Sequence, residues 1–139
     1  MIQWLRKGVV LLLCLMLTAC AAATQARLGE EFDRSVRSYN KMLRWHEIEN
    51  AGMTYIDPKL RDEYLKQAES LKKRGLTFAD FRILTSTYLP ENNTGDVIAE
   101  FDYYIMPSNK VKTVSYPQDW AYQESSKNWI LKTGLPLFE

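Results

Sequence analysis

The feature that most limits what this chain can become is a change of hydrophobic period at Gly75. Before it, apolar residues recur every three or four positions. Phe32, Val36, Tyr39 and Leu43 form one such stripe, with Met42 beside it, and Leu60, Tyr64, Leu65, Ala68 and Leu71 form another. That spacing keeps one face of a helix apolar. After Gly75 the alternation is twofold, as in a half-buried strand: Val97, Ala99, Phe101, Tyr103 and Ile105 alternate with Ile98, Glu100, Asp102, Tyr104 and Met106. Helices followed by strands imply an α+β fold, with N-terminal helices packed on a curved antiparallel sheet of about four strands.

The local signals place the elements. The first stripe predicts a helix from Phe32 to Trp45 or His46, with Arg34, Arg37, Lys41 and Arg44 off the stripe. A shorter helix is expected over Glu47–Met53, Ile48 and Ala51 facing inward and Gly52 weakening its end. Asp57-Pro58 is a start signal for a third helix, since Asp accepts from free N–H groups and Pro gives up a donor that has no partner there. Gly75 suits a left-handed end to it, and the cluster Lys72, Lys73, Arg74 fits a helix C-terminus. The first strand is expected to turn Phe81, Ile83, Thr85, Thr87 and Leu89 to one face, with a turn over Pro90–Gly95. A third strand over Val111–Gln123 should bulge where Pro117 removes a donor, and Asn128–Thr133 makes a fourth.

The N-terminus carries a different signal. Arg6 and Lys7 precede nine unbroken apolar residues, Val9–Leu17, and then the small residues Thr18, Ala19, Cys20, Ala21, Ala22 and Ala23. Nine residues reach about 14 Å as a helix, against about 30 Å of hydrocarbon in a bilayer. A charged start, a short apolar run and small residues are the pattern of a cleaved export signal. Leu17-Thr18-Ala19-Cys20 resembles the bacterial lipobox, whose cysteine is lipidated and becomes the first residue of the mature chain. An ordinary cleaved signal and an uncleaved N-terminal helix are the alternatives. The lipobox resemblance implies a division into a signal peptide over 1–19, a lipidated tether over 20–28, and a domain over 29–139. It also removes Cys14 with the signal and commits Cys20, so no thiol remains for a disulfide. Ala21 follows that cysteine where an aspartate would favour inner-membrane retention, so the expected address is the periplasmic side of the outer membrane.

Removing Arg6 and Lys7 leaves 16 basic against 17 acidic residues, a net charge of −1. Such a balance gives no basic footprint for nucleic acid. Partners are therefore the membrane, through the anchor, and an envelope protein or small apolar ligand.

The stretch "SYNKMLRWHEIENAGMTYIDPKLRDEYL", the long strands after it and the closing "QDWAYQESSKNWILK" resemble the nuclear transport factor 2-like superfamily, the cystatin-like cone that includes ketosteroid isomerases and SnoaL-type cyclases. The resemblance implies a bent sheet wrapped on the first helix, a pocket between them and a tendency to pair into a homodimer through the sheet. It implies no shared reaction, because function resides in sites grafted onto folds.

Several residues are candidates for such a site. His46 is the sole histidine and lies about 40° from the first stripe at 100° per residue. With Tyr39, Tyr103 and Trp120 it is expected to line a ligand-binding mouth, aromatic rings supplying apolar surface with polar handles. Other ligands do not accompany His46, so neither a metal site nor a cofactor is expected, and Ser35, Ser38 and Ser86 have no positioned base. An isomerase-type reaction would need an Asp base in an apolar pocket. Glu100 and Asp102 alternate away from the apolar face, and the direction of Asp119 is not fixed by the pattern. The expected function is thus a non-catalytic binding or scaffold lipoprotein, with a small cyclase- or isomerase-type enzyme as the alternative. Trp45, opposite the stripe, is either covered by the second helix or exposed as an anchor for a partner.

Overall fold

The stripe of Phe32, Val36, Tyr39 and Leu43 is buried as its period requires, each side chain at most 1% exposed. In the computed structural model, which describes residues 1–139, the helix that carries it is far longer than the stripe. Helix α1 runs unbroken over Ile2–Arg44, and everything before Leu28 is exposed. Helices α2 (Ile48–Tyr55) and α3 (Arg61–Lys73) follow, then strands β1 (Leu76–Leu89), β2 (Thr94–Ile105), β3 (Lys112–Gln123) and β4 (Asn128–Leu131). The strands form one antiparallel sheet in the order β1-β2-β3-β4. The fold is therefore α+β, with the helices laid on one face of a four-stranded meander.

Two expectations about the N-terminal segment change. Cys20–Leu28 is helical rather than a loose tether, and Leu28 is already part of the core: its carbonyl accepts a 3.1 Å bond from the Trp129 indole N–H. Length alone does not exclude a membrane span either. The small residues after Leu17 keep the helix uncharged from Gly8 to Ala26, about 28 Å at 1.5 Å per residue. An 18-residue window of this helix has a mean hydropathy of 2.1 and is 0% buried, so by length and composition it matches a signal sequence and a crossing helix alike.

Helix α1 and strand β1 run in opposite directions. The beginning of the packed part of α1 meets the far end of β1, where Gly29 faces the Tyr88 ring, and the end of α1 meets the start of β1, where Arg44 Nη1 donates to Phe78 O at 3.1 Å. Gly75 ends α3 with φ 81°, as its sequence position predicted, and its carbonyl accepts from Met106 N. Asp57 behaves differently from expectation. It caps a turn, its Oδ1 accepting from Lys59 N at 3.1 Å, and α3 begins only at Arg61. Pro58 sits in that turn.

The sheet corrects the strand reading at two places. Pro117 does not bulge β3, since the β2–β3 register runs through Ile98↔Pro117 without a shift. The irregularities are in β1, between Phe78 and Asp80 and between Ile83 and Thr85. Each extra residue reverses the phase, because side chains alternate with period two. Phe81 and Ile83 therefore face the helices, but beyond Leu84 it is Ser86 and Tyr88, not Thr85, Thr87 and Leu89, that lie opposite Val97 and Gly95. Tyr88 then packs on Phe32 and Trp129, at ring-centre distances of 6.2 and 5.7 Å. In β4, Trp129, Ile130 and Leu131 are all buried, so its alternation is overridden by cover on both sides.

Candidate functional site

Of the four residues expected to line a mouth, Tyr39 and Trp120 meet inside the packed core, while Tyr103 and His46 lie apart from them and from each other. Tyr39, Tyr103 and Trp120 are 0%, 3% and 1% exposed, and rings occupy the space between the sheet and α1. The Tyr39 ring stands edge-on to Trp120 and Tyr55, at 5.8 and 6.0 Å. Tyr103 lies elsewhere, packed against Phe138 at 5.0 Å, with its hydroxyl bonded to the backbone of Glu139. His46 is exposed, beyond the end of α1 at φ 65°, its imidazole parallel to the Phe78 ring at 6.5 Å. The helix stops at Arg44, so the angular projection that aimed His46 inward does not hold. Trp45 is uncovered: it is 61% exposed, with only the Arg44 guanidinium over its ring at 5.1 Å.

What the core holds instead is a polar network. Tyr39 and Tyr116 share a 2.9 Å hydroxyl–hydroxyl bond, Tyr64 lies 3.3 Å from Tyr39, and the Tyr64 hydroxyl donates to Ile48 O at 3.1 Å. Burial raises the pKa of all three phenols, so they stay neutral hydrogen-bonding groups. Beside them, Asn40 and Gln118 pair amide to amide at 2.7 and 3.2 Å. Asn40 also donates to Val36 O, and the Trp120 indole donates to Gln118 Oε1 at 3.2 Å. Asn40 and Gln118 were not expected inside. Their positions carried the signal: Asn40 follows Val36 by four residues, and Gln118 alternates in phase with Tyr116 and Trp120. With its partners present, such a network fixes which side chains face each other.

The carboxylates sit on the other face of the sheet, as the alternation of β2 predicted. Asp102 takes Arg82 Nη1 and Nη2 at 2.9 and 3.2 Å and Thr113 Oγ1 at 2.7 Å, and Glu100 takes Arg82 Nε at 2.7 Å. Hydrogen bonds from Arg82, then Thr113, lower the Asp102 pKa, so it stays ionised with its lone pairs engaged. Asp119 is opposite Asp96 on this same solvent-facing side. No group of three or more His, Cys, Asp or Glu side chains converges as metal ligands would.

One ion pair holds the architecture. Lys132 Nζ reaches Asp57 Oδ2 at 2.8 Å, and the Asp57 amide donates to Leu131 O, pinning the α2–α3 turn to β4. The hydrogen bond from Lys132, then that from the Lys59 amide, lowers the Asp57 pKa below its ordinary 3.8. A carboxylate with a lowered folded pKa stabilises the fold fully above its unfolded value, and the effect is lost as pH falls through the folded one. Lys132 is 44% exposed, which limits the pair to about 1 kcal/mol. Denaturant melts at pH 7 should therefore find Asp57→Asn less stable by about that amount, with the difference from the unmodified chain beginning to narrow near pH 3.8 and vanishing only below the lower pKa of the folded state.

Away from the bare part of α1, a hollow of the folded domain is lined by both a helix and a strand. It measures about 270 Å³ and lies between Asp33, Val36 and Arg37 of α1 and Ile83–Ser86 of β1.

No family model matches this chain, and no curated protein matches it. Among solved structures, the crystal structure of the intermembrane space region of the chloroplast protein ARC6 is similar, with a TM-score of 0.49 and 14% identity. The match covers 76% of this chain and 97% of that one. Identity at that level transfers no site from one chain to the other.

Proposed function

We propose that this is a bacterial envelope lipoprotein in which Cys20 carries the lipid and the domain binds or scaffolds a partner without transforming it. The observation that carries the reading is Leu17-Thr18-Ala19-Cys20 at the end of an apolar segment that opens with Arg6 and Lys7. Several acyl chains on one cysteine give lasting attachment, each buried CH₂ contributing about 0.8 kcal/mol. Ala21 favours the periplasmic side of the outer membrane. A nuclear transport factor 2-like cone is the fold family the helix-then-meander order suggests. A binding role, rather than cyclase or isomerase chemistry, is supported by the ring-filled interior and by carboxylates that are ion-paired on the outer face.

Globomycin, which blocks lipoprotein signal cleavage, supplies the test. Intact-mass measurement of the membrane-bound protein should find a chain beginning at lipidated Cys20, with an uncleaved precursor accumulating under the drug. Cys20→Ala should remain uncleaved and unlipidated, yet keep the fold, because Cys20 is exposed and outside the core. An unmodified Cys20 in a full-length chain insensitive to globomycin would replace the lipid by a spanning helix.

A further inference from the structure

Beyond β4 the chain crosses one end of the domain without joining the sheet. Thr133 is its last fixed point, with Oγ1 accepting from Asp119 N at 2.9 Å, and over 134–139 no backbone group bonds to another backbone group. Side chains of three other elements hold it instead. Arg74, just past α3, donates from Nη2 to Phe138 O at 3.0 Å, and Lys112 of β3 donates from Nζ to Glu139 O at 2.7 Å. The Tyr103 hydroxyl of β2 donates to Glu139 O and accepts from Glu139 N, both at 3.1 Å. Leu135 and Phe138 are buried, whereas Leu137 between them is 81% exposed. The Phe138 ring stands edge-on to Phe78 at 5.6 Å and to Tyr103 at 5.0 Å. Main-chain groups bonded by the host and side-chain anchors seated in it make the arrangement of a bound peptide. Arg44 and His46 also meet Phe78, so this groove lies where α1 stops, at the end of the domain away from Cys20.

We propose that Arg74, Phe78, Tyr103 and Lys112 form a peptide-binding groove that residues 135–139 fill in cis, and that its ligand in trans is an extended segment of another protein carrying an aliphatic and an aromatic side chain three residues apart. The occupant in place defines that chemistry. All four hydrogen bonds go to main-chain atoms of Phe138 and Glu139, so any segment with the two anchors at this spacing can make them. The resident segment is also built to leave. It has no ladder bonds, and two of its donors, Arg74 and Lys112, are exposed to water, which puts it at the low-stability end of the fold. A segment tethered this closely acts at an effective concentration on the order of millimolar, so it excludes weak ligands and yields to strong ones. The groove supplies a partner class for the binding role given above, and it depends on neither Cys20 nor the lipid.

The probe is a fluorescein-labelled peptide, Thr-Gly-Leu-Pro-Leu-Phe-Glu, titrated by fluorescence anisotropy into the full-length protein in detergent micelles. Phe138→Ala, which removes the cis anchor and leaves the groove residues in place, should bind it at least about tenfold more tightly than the unmodified chain does. Pro136→Gly, which loosens the segment but keeps both anchors, should give a smaller gain and serves if Phe138→Ala misfolds, as circular dichroism would report. Adding Arg74→Ala to either variant, or replacing Phe by Ala in the peptide, should reverse the gain. Equal affinity of the unmodified and loosened chains, binding by none of them, or binding indifferent to Arg74 and to the peptide's Phe would overturn the proposal. So would a dimer of the unmodified chain that Phe138→Ala dissolves, because the outside ligand would then be the same segment of a second copy. A lipidated Cys20 without peptide binding would sink the groove alone; peptide binding with an unmodified Cys20 would sink the anchor alone.

Discussion

Phe101→Ala is expected to cost about 3–5 kcal/mol, the range for emptying a fully buried aromatic site. Phe101 is 0% exposed at the centre of β2, with Phe78 at 5.0 Å, Phe81 at 5.7 Å and Tyr116 at 6.3 Å around its ring. Removing the ring leaves three others with a void between the sheet and the helices, and the Tyr39–Tyr116 bond lies directly behind. The neighbouring Asp102→Ala should cost less than about 1 kcal/mol, because its partner Arg82 is 43% exposed on the opposite face. Denaturant melts of the full chain in micelles would compare the two. Reversed magnitudes would mean that the faces of β2 are exchanged.

The second large effect is expected from adding a single methyl group. Gly95 opens β2 opposite Tyr88, and a Cβ there would fall 2.3 Å from two atoms of the Phe32 ring. That ring has no room to retreat, being 0% exposed and packed on Trp129 at 4.9 Å. Gly95→Ala should therefore cost about 1–3 kcal/mol or more, as overpacking does. Phe32→Leu in the same chain should recover part of the loss by vacating the contact, a coupling that a double-mutant cycle would read directly. Additive losses would show that the glycine is needed for its backbone and not for closeness to the ring.

What could be read from the sequence follows from where the hydrophobic period is intact. The Phe32–Leu43 stripe and the Val97–Tyr103 alternation were legible because burial on one face alone decides the residue type there, and the glycine end of α3 because its positive φ favours glycine. In β1 the same reasoning slipped. The residue that resets the phase, Leu84, is itself apolar and leaves no compositional mark, so Thr85 and Thr87 were assigned the face that Ser86 and Tyr88 occupy. Pro117 misled in the opposite direction, marking an irregularity where the register is continuous. The mouth expected at Tyr39, His46, Tyr103 and Trp120 failed for a different reason. Aromatic residues with polar tips suit a cavity and a packed interior equally, and the pairing of Tyr39 with Tyr116, across 77 residues of chain, is tertiary information. The hollow beside β1 was similarly hidden, since it arises only where α1 passes the edge of the sheet.

The unbroken run of α1 through Cys20 and into the core at Leu28 governs how far this protein can reach. Eight residues of helix amount to about 12 Å, with no hinge between the cysteine and the first buried side chain. A domain held at Cys20 would thus stand close to the lipid headgroups at a nearly fixed tilt, unable to sweep the space around it as one on a long disordered leash does. Its encounters would be confined to a thin layer. Molecules sharing that surface would meet it at high effective concentration, and distant ones would have to travel the whole gap themselves.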